Sequence, residues 1–158
     1  MNAIQCYAPT NERDEDSKDQ FYSRLQTIVE SCPGRDFTIM MGHFNAKIGN
    51  DNTGWEEVMG CHGLGDINDN GKRFADLCAS HNLVIGGSIF PHKRIHQATW
   101  VSPDQTTENQ IDHLCINKKF RRSLQDVRVK RRADVASDHR LVVEMLKLRK
   151  NWTGDQIH

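Results

Sequence analysis

Phe37 to Met41 is a short apolar run that stops abruptly on Gly42, with His43 and Asn45 directly after it. A run of that length closed by glycine predicts a buried strand whose end delivers side chains to the rim of a sheet. In α/β sheets that rim is where ligands bind. Taken alone, the stretch also suits a core strand followed by an ordinary turn. Asp112 and Ser137-Asp138-His139, far along the chain, are what give it weight.

The rest of the chain supplies one sheet and two helices around that strand. Ala3 to Ala8 alternates like a strand, with Ile4, Cys6 and Ala8 on one side, and stops at Pro9. Opening in mid-strand, the chain is expected to be cut from something longer. Phe21, Leu25, Ile28, Val29 and Cys32 then recur at helical spacing up to Pro33-Gly34. The acidic residues Asp14, Glu15, Asp16 and Asp19 fall at that helix's N-terminus, where negative charge suits the macrodipole, and read as a solvated first turn. A Gly-, Asn- and Asp-rich loop fills residues 50–70; its Asp66, Asn68 and Asp69 lack the spacing and terminal glutamate of a calcium loop. Asn70 is expected to cap a second helix that buries Phe74, Leu77 and Cys78, and Leu83-Val84-Ile85 opens another strand.

Beyond that point Ala98–Val101, Gln110–Ile116, Val127–Arg131 and Leu141–Leu146 all read as strands, with a turn at Ser102-Pro103-Asp104. Strands interleaved with two helices predict an α/β (α+β) domain with a mixed sheet flanked by helices. It is expected to occupy residues 3–147, followed by a polar tail over 148–158.

The 158 residues suffice for one domain with its own core, although 37% apolar residues and a mean hydropathy of −0.68 are lean values. Lys+Arg and Asp+Glu are both 21, so net charge gives no hint of a polyanionic partner. Five cysteines form no CxxC pair, and Cys6, Cys78 and Cys115 sit in apolar patterns as small buried hydrophobes. That usage predicts reduced thiols and an intracellular setting, nuclear or cytoplasmic. The sequence holds neither a signal-peptide pattern nor an apolar run of transmembrane length, and no membrane partner is expected.

Three polar groups then fall at strand ends: His43 with Asn45, Asp112, and Asp138 with His139. A carboxylate there can hold a divalent metal, and an imidazole can bond a phosphate oxygen or move a proton near neutral pH. A second carboxylate can orient that imidazole through its other ring nitrogen. Asn45, uncharged and donating, suits a phosphoryl oxygen that gains charge. Singly, each has a plain structural explanation as a cap, surface residue or ion-pair partner; jointly they form a phosphate-handling set.

Tyr7-Ala8-Pro9-Thr10, Met41 to Ala46, Ala98-Thr99-Trp100, Gln110 to His113 and Ser137-Asp138-His139 occur in the order and spacing of one family. The chain resembles the endonuclease/exonuclease/phosphatase superfamily, which includes DNase I and the apurinic/apyrimidinic endonucleases. Within it the likeness is to endonuclease domains of RTE/BovB-type non-LTR retrotransposons. Ile89 to Lys93 and Asp126 to Lys130 also look like the host proteins called craniofacial development protein 2. The resemblance implies the C-terminal part of a four-layer α/β sandwich, the DNase I-like fold, without its first half. It implies Mg²⁺ as cofactor and DNA as partner. Asp138 would ligate the metal, His139 would polarise the phosphate or act as base, and Asp112 would orient His139. Asn45 would stabilise the pentavalent phosphate and Tyr7 would approach the scissile one. Trp100 would stand in the DNA-facing wall, although core packing accounts for it equally well.

Two departures from the family pattern weigh against catalysis. The family's Gly-Asp-Phe-Asn is Gly42-His43-Phe44-Asn45 here, so His43 stands where an aspartate orients the water or protonates the leaving oxygen. The first half, with its asparagine and its main metal-binding glutamate, is also missing, and Asp138 alone cannot satisfy an octahedral Mg²⁺. The expectation is an impaired endonuclease domain. The alternative is a non-catalytic module that binds nucleic acid or protein.

Lys118, Lys119, Arg121, Arg122, Arg128, Lys130, Arg131 and Arg132 crowd into residues 118–132, opposed only by Asp126. Such a run can neutralise phosphates without reading sequence, and it can equally serve to protect a sheet edge. Loss of the first half should also bare an apolar sheet face made by Ile4, Ile39, Met41, Val84, Ile111 and Leu114, favouring self-association.

Overall fold

The computed structural model of the protein describes residues 1–34, 36–93, 96–102, 104, 106–130 and 141–146, with 128–130 and 141–146 described as backbone. Strand β1 (Asn2–Tyr7) lies parallel to β2 (Thr38–His43), and helix α1 (Glu15–Ser31) connects them. Helix α2 (Asp69–Ser80), β3 (Leu83–Ile85), and the short strands β4 (Trp100–Val101) and β5 (Glu108–Asn109) follow. Then come β6 (Asp112–Asn117), β7 (Leu124–Lys130) and β8 (Leu141–Leu146). Four strands form the central mixed sheet in the order β1-β2-β6-β3, with β6 antiparallel to both neighbours. The pairs β4–β5 and β7–β8 are separate antiparallel ribbons.

Alternation along the strands sends side chains to two apolar clusters. Ile4, Met40, Cys115, Leu83 and Ile85 meet Tyr22, Leu25 and Val29 of α1 and Phe74, Leu77 and Cys78 of α2. On the other face Val84, Leu114 and Ile116 meet Phe37, Phe120, Leu124 and Val127. The 3₁₀ turns at Lys118–Ser123 and strand β7 therefore fold back over the sheet. This corrects the expectation of a bare face: Ile4, Val84 and Leu114 are buried, Ile39 and Ile111 half-buried, and only Met41 is exposed. The covering residues Phe120, Leu124 and Val127 lie inside the basic run, whose charge masks their spacing in the sequence.

Helix α1 buries Lys18, Tyr22, Leu25 and Val29, positions that share one line at about 100° per residue. Ile28, predicted on that face, lies one step round the helix and is 48% exposed. The acidic N-terminus is not simply solvated either. Asp14 caps the helix by accepting from the Ser17 N–H at 3.2 Å. Arg73 of α2 bonds Glu15, Asp19 and Asp69, while buried Lys18 reaches Asp69 at 2.8 Å and the Asn11 carbonyl at 2.9 Å. The Lys18 and Arg73 bonds hold the Asp69 carboxyl below its usual range.

The cap of α2 also differs from expectation. Asn68 is the N-cap, its Oδ1 accepting from the Gly71 N–H at 2.7 Å, and Asn70 lies inside the first turn, fully buried. The N-terminus of α2 rests directly on the backbone after β2. A Cβ on Gly71 would sit 1.9 Å from the Lys47 carbonyl oxygen. Only glycine permits that approach.

Candidate functional site

Pairing in the central sheet aligns three side chains in one row. Tyr7 at the end of β1 is opposite His43 at the end of β2, and His43 is opposite Asp112 at the start of β6. Register partners project to the same face of a sheet, so the row meets side by side. His43 Nδ1 lies 3.0 Å from Asp112 Oδ1, and the Tyr7 ring stacks on the imidazole at 4.9 Å and 29°. Tyr7 is 77% exposed, so the row opens to solvent at its β1 end.

Asn45 completes the rim from the turn after β2, in a left-handed conformation at φ 49°. That conformation is uncommon for a side-chain-bearing residue, with asparagine among the most tolerant. It is locked from several sides. The Phe44 N–H donates to the Ile111 carbonyl at 2.9 Å, the Ala8 N–H donates to the His43 carbonyl at 2.8 Å, and Asn45 Nδ2 donates to the Ala8 carbonyl at 2.9 Å. Asp112 is fixed through its backbone, whose N–H donates to Thr99 Oγ1 at 3.1 Å. Thr99 Oγ1 also accepts from Ile111 N–H at 2.9 Å, which ties the ribbon carrying half-buried Trp100 to the site.

Behind the row, His113 is buried among Phe44 and Phe74 and donates through Nε2 to the Ala46 carbonyl at 2.6 Å. Burial pushes its imidazole below the usual range, and its Nδ1 has no partner. It supports the site and does not line it.

Of the residues expected here, Tyr7, His43, Asn45 and Asp112 do converge. Asp138, His139, Arg131 and Arg132 lie outside the described residues, as do the side chains of Arg128 and Lys130. Asp112, expected to orient His139, gives its Oδ1 to His43, and His139 itself lies outside the described residues. The cause is register, since β2 and β6 set residues 43 and 112 directly opposite each other.

The basic run starts elsewhere. Asp112 begins β6 and Lys118 follows its end, so the run starts at the opposite end of the strand, about 17 Å away by strand rise, and Lys119, Arg121 and Arg122 continue it in the 3₁₀ segment. There Lys118 is ion-paired with Glu57, Lys119 stands over the Phe120 ring, and Arg121 and Arg122 are exposed. A cavity of about 260 Å³ lined by Trp55, Glu57, Leu83 and Lys118 lies at that same far rim, remote from the His43 row.

Sequence reasoning missed Thr99, Asn68 and Asn70, all of which bond the backbone of the site. Clustered asparagines between a loop and a helix were the available signal, and only a cap was drawn from it.

Comparison with known proteins matches residues 1–143 to a family described as endonuclease-reverse transcriptase. Two relatives are the craniofacial development protein 2 of Tragulus javanicus and that of Bos taurus. Each is 34% identical over 151 residues, which is 94% of this chain but 26% and 25% of theirs. The chain thus spans about a quarter of the length of these curated relatives. Among solved structures, the endonuclease domain of TRAS1, a telomere-specific non-LTR retrotransposon, superposes with a TM-score of 0.60 at 14% identity. That match covers 91% of this chain and 57% of that one. The 3'-5' exonuclease NExo from Neisseria meningitidis gives 0.67 at 18% identity, over 92% and 61%. The fold is the mixed α/β arrangement of DNase I-like endonucleases and exonucleases.

Proposed function

The chain belongs to the endonuclease-reverse transcriptase family, and on that premise we propose that the Tyr7–His43–Asp112–Asn45 rim is a nucleic-acid phosphodiester site of impaired catalytic power, in a retrotransposon-derived domain. The observation that carries this reading is the 3.0 Å contact between His43 Nδ1 and Asp112 Oδ1 at the solvent-facing end of the sheet. A carboxylate on Nδ1 holds the imidazole in one tautomer and directs proton transfer through Nε2. His43 would take a proton from an attacking water or return one to the leaving oxygen. An amide nitrogen carries two donors, and one of Asn45's is used on Ala8; the other suits a phosphoryl oxygen that gains charge. Tyr7, exposed beside them, would contact the strand being cut.

Magnesium, which the resemblance implies, does not fit the described residues. Among them no group of three or more His, Cys, Asp or Glu can hold an ion, and the rim carboxylate Asp112 is engaged with His43. Asp138, the implied ligand, lies outside the described residues. General acid–base groups contribute typically 10²–10⁴-fold. With His43 where the family has an aspartate, cleavage should be slow and binding should outlast it. A second reading, a non-catalytic nucleic-acid-binding module, is favoured by the exposure of Lys119, Arg121 and Arg122.

Plasmid nicking with and without Mg²⁺, alongside a DNA-binding titration at low and high salt, tests both readings. The expected result is salt-sensitive, sequence-tolerant binding with trace nicking that His43→Ala and Asp112→Asn remove. Binding with no trace of nicking selects the second reading. Neither binding nor nicking at low salt sinks both.

A further inference from the structure

We propose that Asn70 is a positioning residue for this rim, pinning the backbone that follows Tyr7 to the backbone that follows His43. The proposal rests on the reading of the rim as a phosphodiester site, but its structural part is testable without that reading. Asn70 is fully buried in the first turn of α2. Its Nδ2 donates to the Pro9 carbonyl at 3.0 Å and to the Asn45 carbonyl at 3.3 Å. Those two residues belong to the segments that carry Tyr7 and His43, and they are far apart in sequence. Its own N–H donates to Asn11 Oδ1 at 3.1 Å, and its carbonyl accepts from Tyr22 Oη at 3.3 Å.

Helix preference and the needs of its own oxygen do not explain an asparagine at this position. Oδ1 is buried with no partner, and a buried acceptor left unmet is destabilising. Asparagine is also a mediocre helix former. Alanine would remove the unmet acceptor and improve the helix, but it would take this donor from the Pro9 carbonyl and leave the Asn45 carbonyl to Asn68. What alanine lacks is a pair of N–H donors set to bridge two carbonyls. Those carbonyls flank the positions on which the rim's geometry depends: Pro9 is two residues after Tyr7, and Asn45 holds the left-handed turn two residues after His43. The Asn45 carbonyl also accepts from Asn68 Nδ2 at 3.4 Å, so the start of α2 grips it with two amides. Asn70 touches no substrate position itself. It acts by holding Tyr7, His43 and Asn45 in one register.

The test compares the wild type with Asn70→Leu, which keeps the approximate size but has no side-chain donor, with Asn70→Ser, and with Leu77→Ala as a destabilised control. Amide hydrogen exchange is measured at Ala8 and Phe44, whose N–H groups bond the His43 and Ile111 carbonyls, and at Ile116 in the sheet centre. Positioning predicts exchange about tenfold faster at Ala8 and Phe44 in the Asn70 variants, with Ile116 unchanged. Leu77→Ala should accelerate all three together. Uniform acceleration in both Asn70 variants, or none, overturns the proposal. Binding of a DNA duplex, measured in parallel, should weaken several-fold in the Asn70 variants. Localised exchange without any DNA binding, even by the wild type, would leave the pin in place and remove the phosphodiester reading instead.

Discussion

Replacing Gly71 with alanine tests how tightly α2 is seated on the loop behind the site. The new Cβ would lie 1.9 Å from the Lys47 carbonyl oxygen and 2.8 Å from its carbon. An ordinary carbon–oxygen contact is about 3.3 Å, so helix and loop must separate by about 1.4 Å. Two hydrogen bonds span that interface. The Lys47 N–H donates to Asn68 Oδ1 at 3.1 Å, and the Asn68 N–H donates to the Lys47 carbonyl at 3.0 Å. A displacement of that size breaks both. Each is worth about 0.5–1.5 kcal/mol net, and leaving buried partners unmet adds about 1 kcal/mol more, giving roughly 2–4 kcal/mol. Alanine's helix preference returns at most about 1 kcal/mol. Gly71→Ala should therefore destabilise the fold by about 1–3 kcal/mol in urea unfolding, with an unchanged slope. Gly34→Ala is the control: nothing lies within 4 Å of its added Cβ, and the effect should stay within about ±0.5 kcal/mol. A Gly71→Ala protein as stable as wild type would refute the close-seating argument.

Burial holds the His113 imidazole below its usual range, while the unfolded chain titrates near ~6.5. Below that pH the unfolded state binds the extra proton, so stability falls as pH drops through the window between the two values, by up to about 1.4 kcal/mol per pH unit. His113→Leu should be flatter than wild type there in pH-dependent denaturation, and parallel curves would contradict the assignment. Exposed Cys61 should react first with an aromatic disulfide reagent. Buried Cys78 and Cys115, and Cys6, whose thiol burial pushes up to about 12, should react only on unfolding. Rapid labelling of more than Cys61 and half-buried Cys32 in the folded protein would count against the packing. Arg121→Ala with Arg122→Ala should lower the salt slope of duplex binding by roughly two phosphate contacts, about 0.9 each. An unchanged slope would leave the run as edge protection.

Strands and helices were legible in the sequence because each carries a local period. The run ending at Gly42, the strand after Asn82 and the helix over Phe74, Leu77 and Cys78 all stand where the pattern puts them. What escaped depends on pairings between distant residues. Nothing near His43 or near Asp112 says that β2 and β6 set them opposite each other, 69 residues apart, so the imidazole–carboxylate contact came only from register. Asn68 and Asn70 carry the same local capping signal, and the choice between them is made by Lys47 and Pro9, which belong to other segments. Tyr22 and Ile28 exchanged places because α1 presents the line through Lys18 to the core, and a lysine is not read as a core residue until Asp69 and Asn11 meet it.

The length of β6 sets a ruler for any nucleic acid that would reach from the His43 row to the end of the strand where the basic run starts. About 17 Å at about 3.4 Å per step is five base pairs between the His43 row and the start of the basic run at Lys118. An oligonucleotide shorter than that can occupy one end or the other, but it cannot bridge them. On the proposed reading, the length of a nucleic acid would govern how much of the positive charge it meets before sequence enters at all.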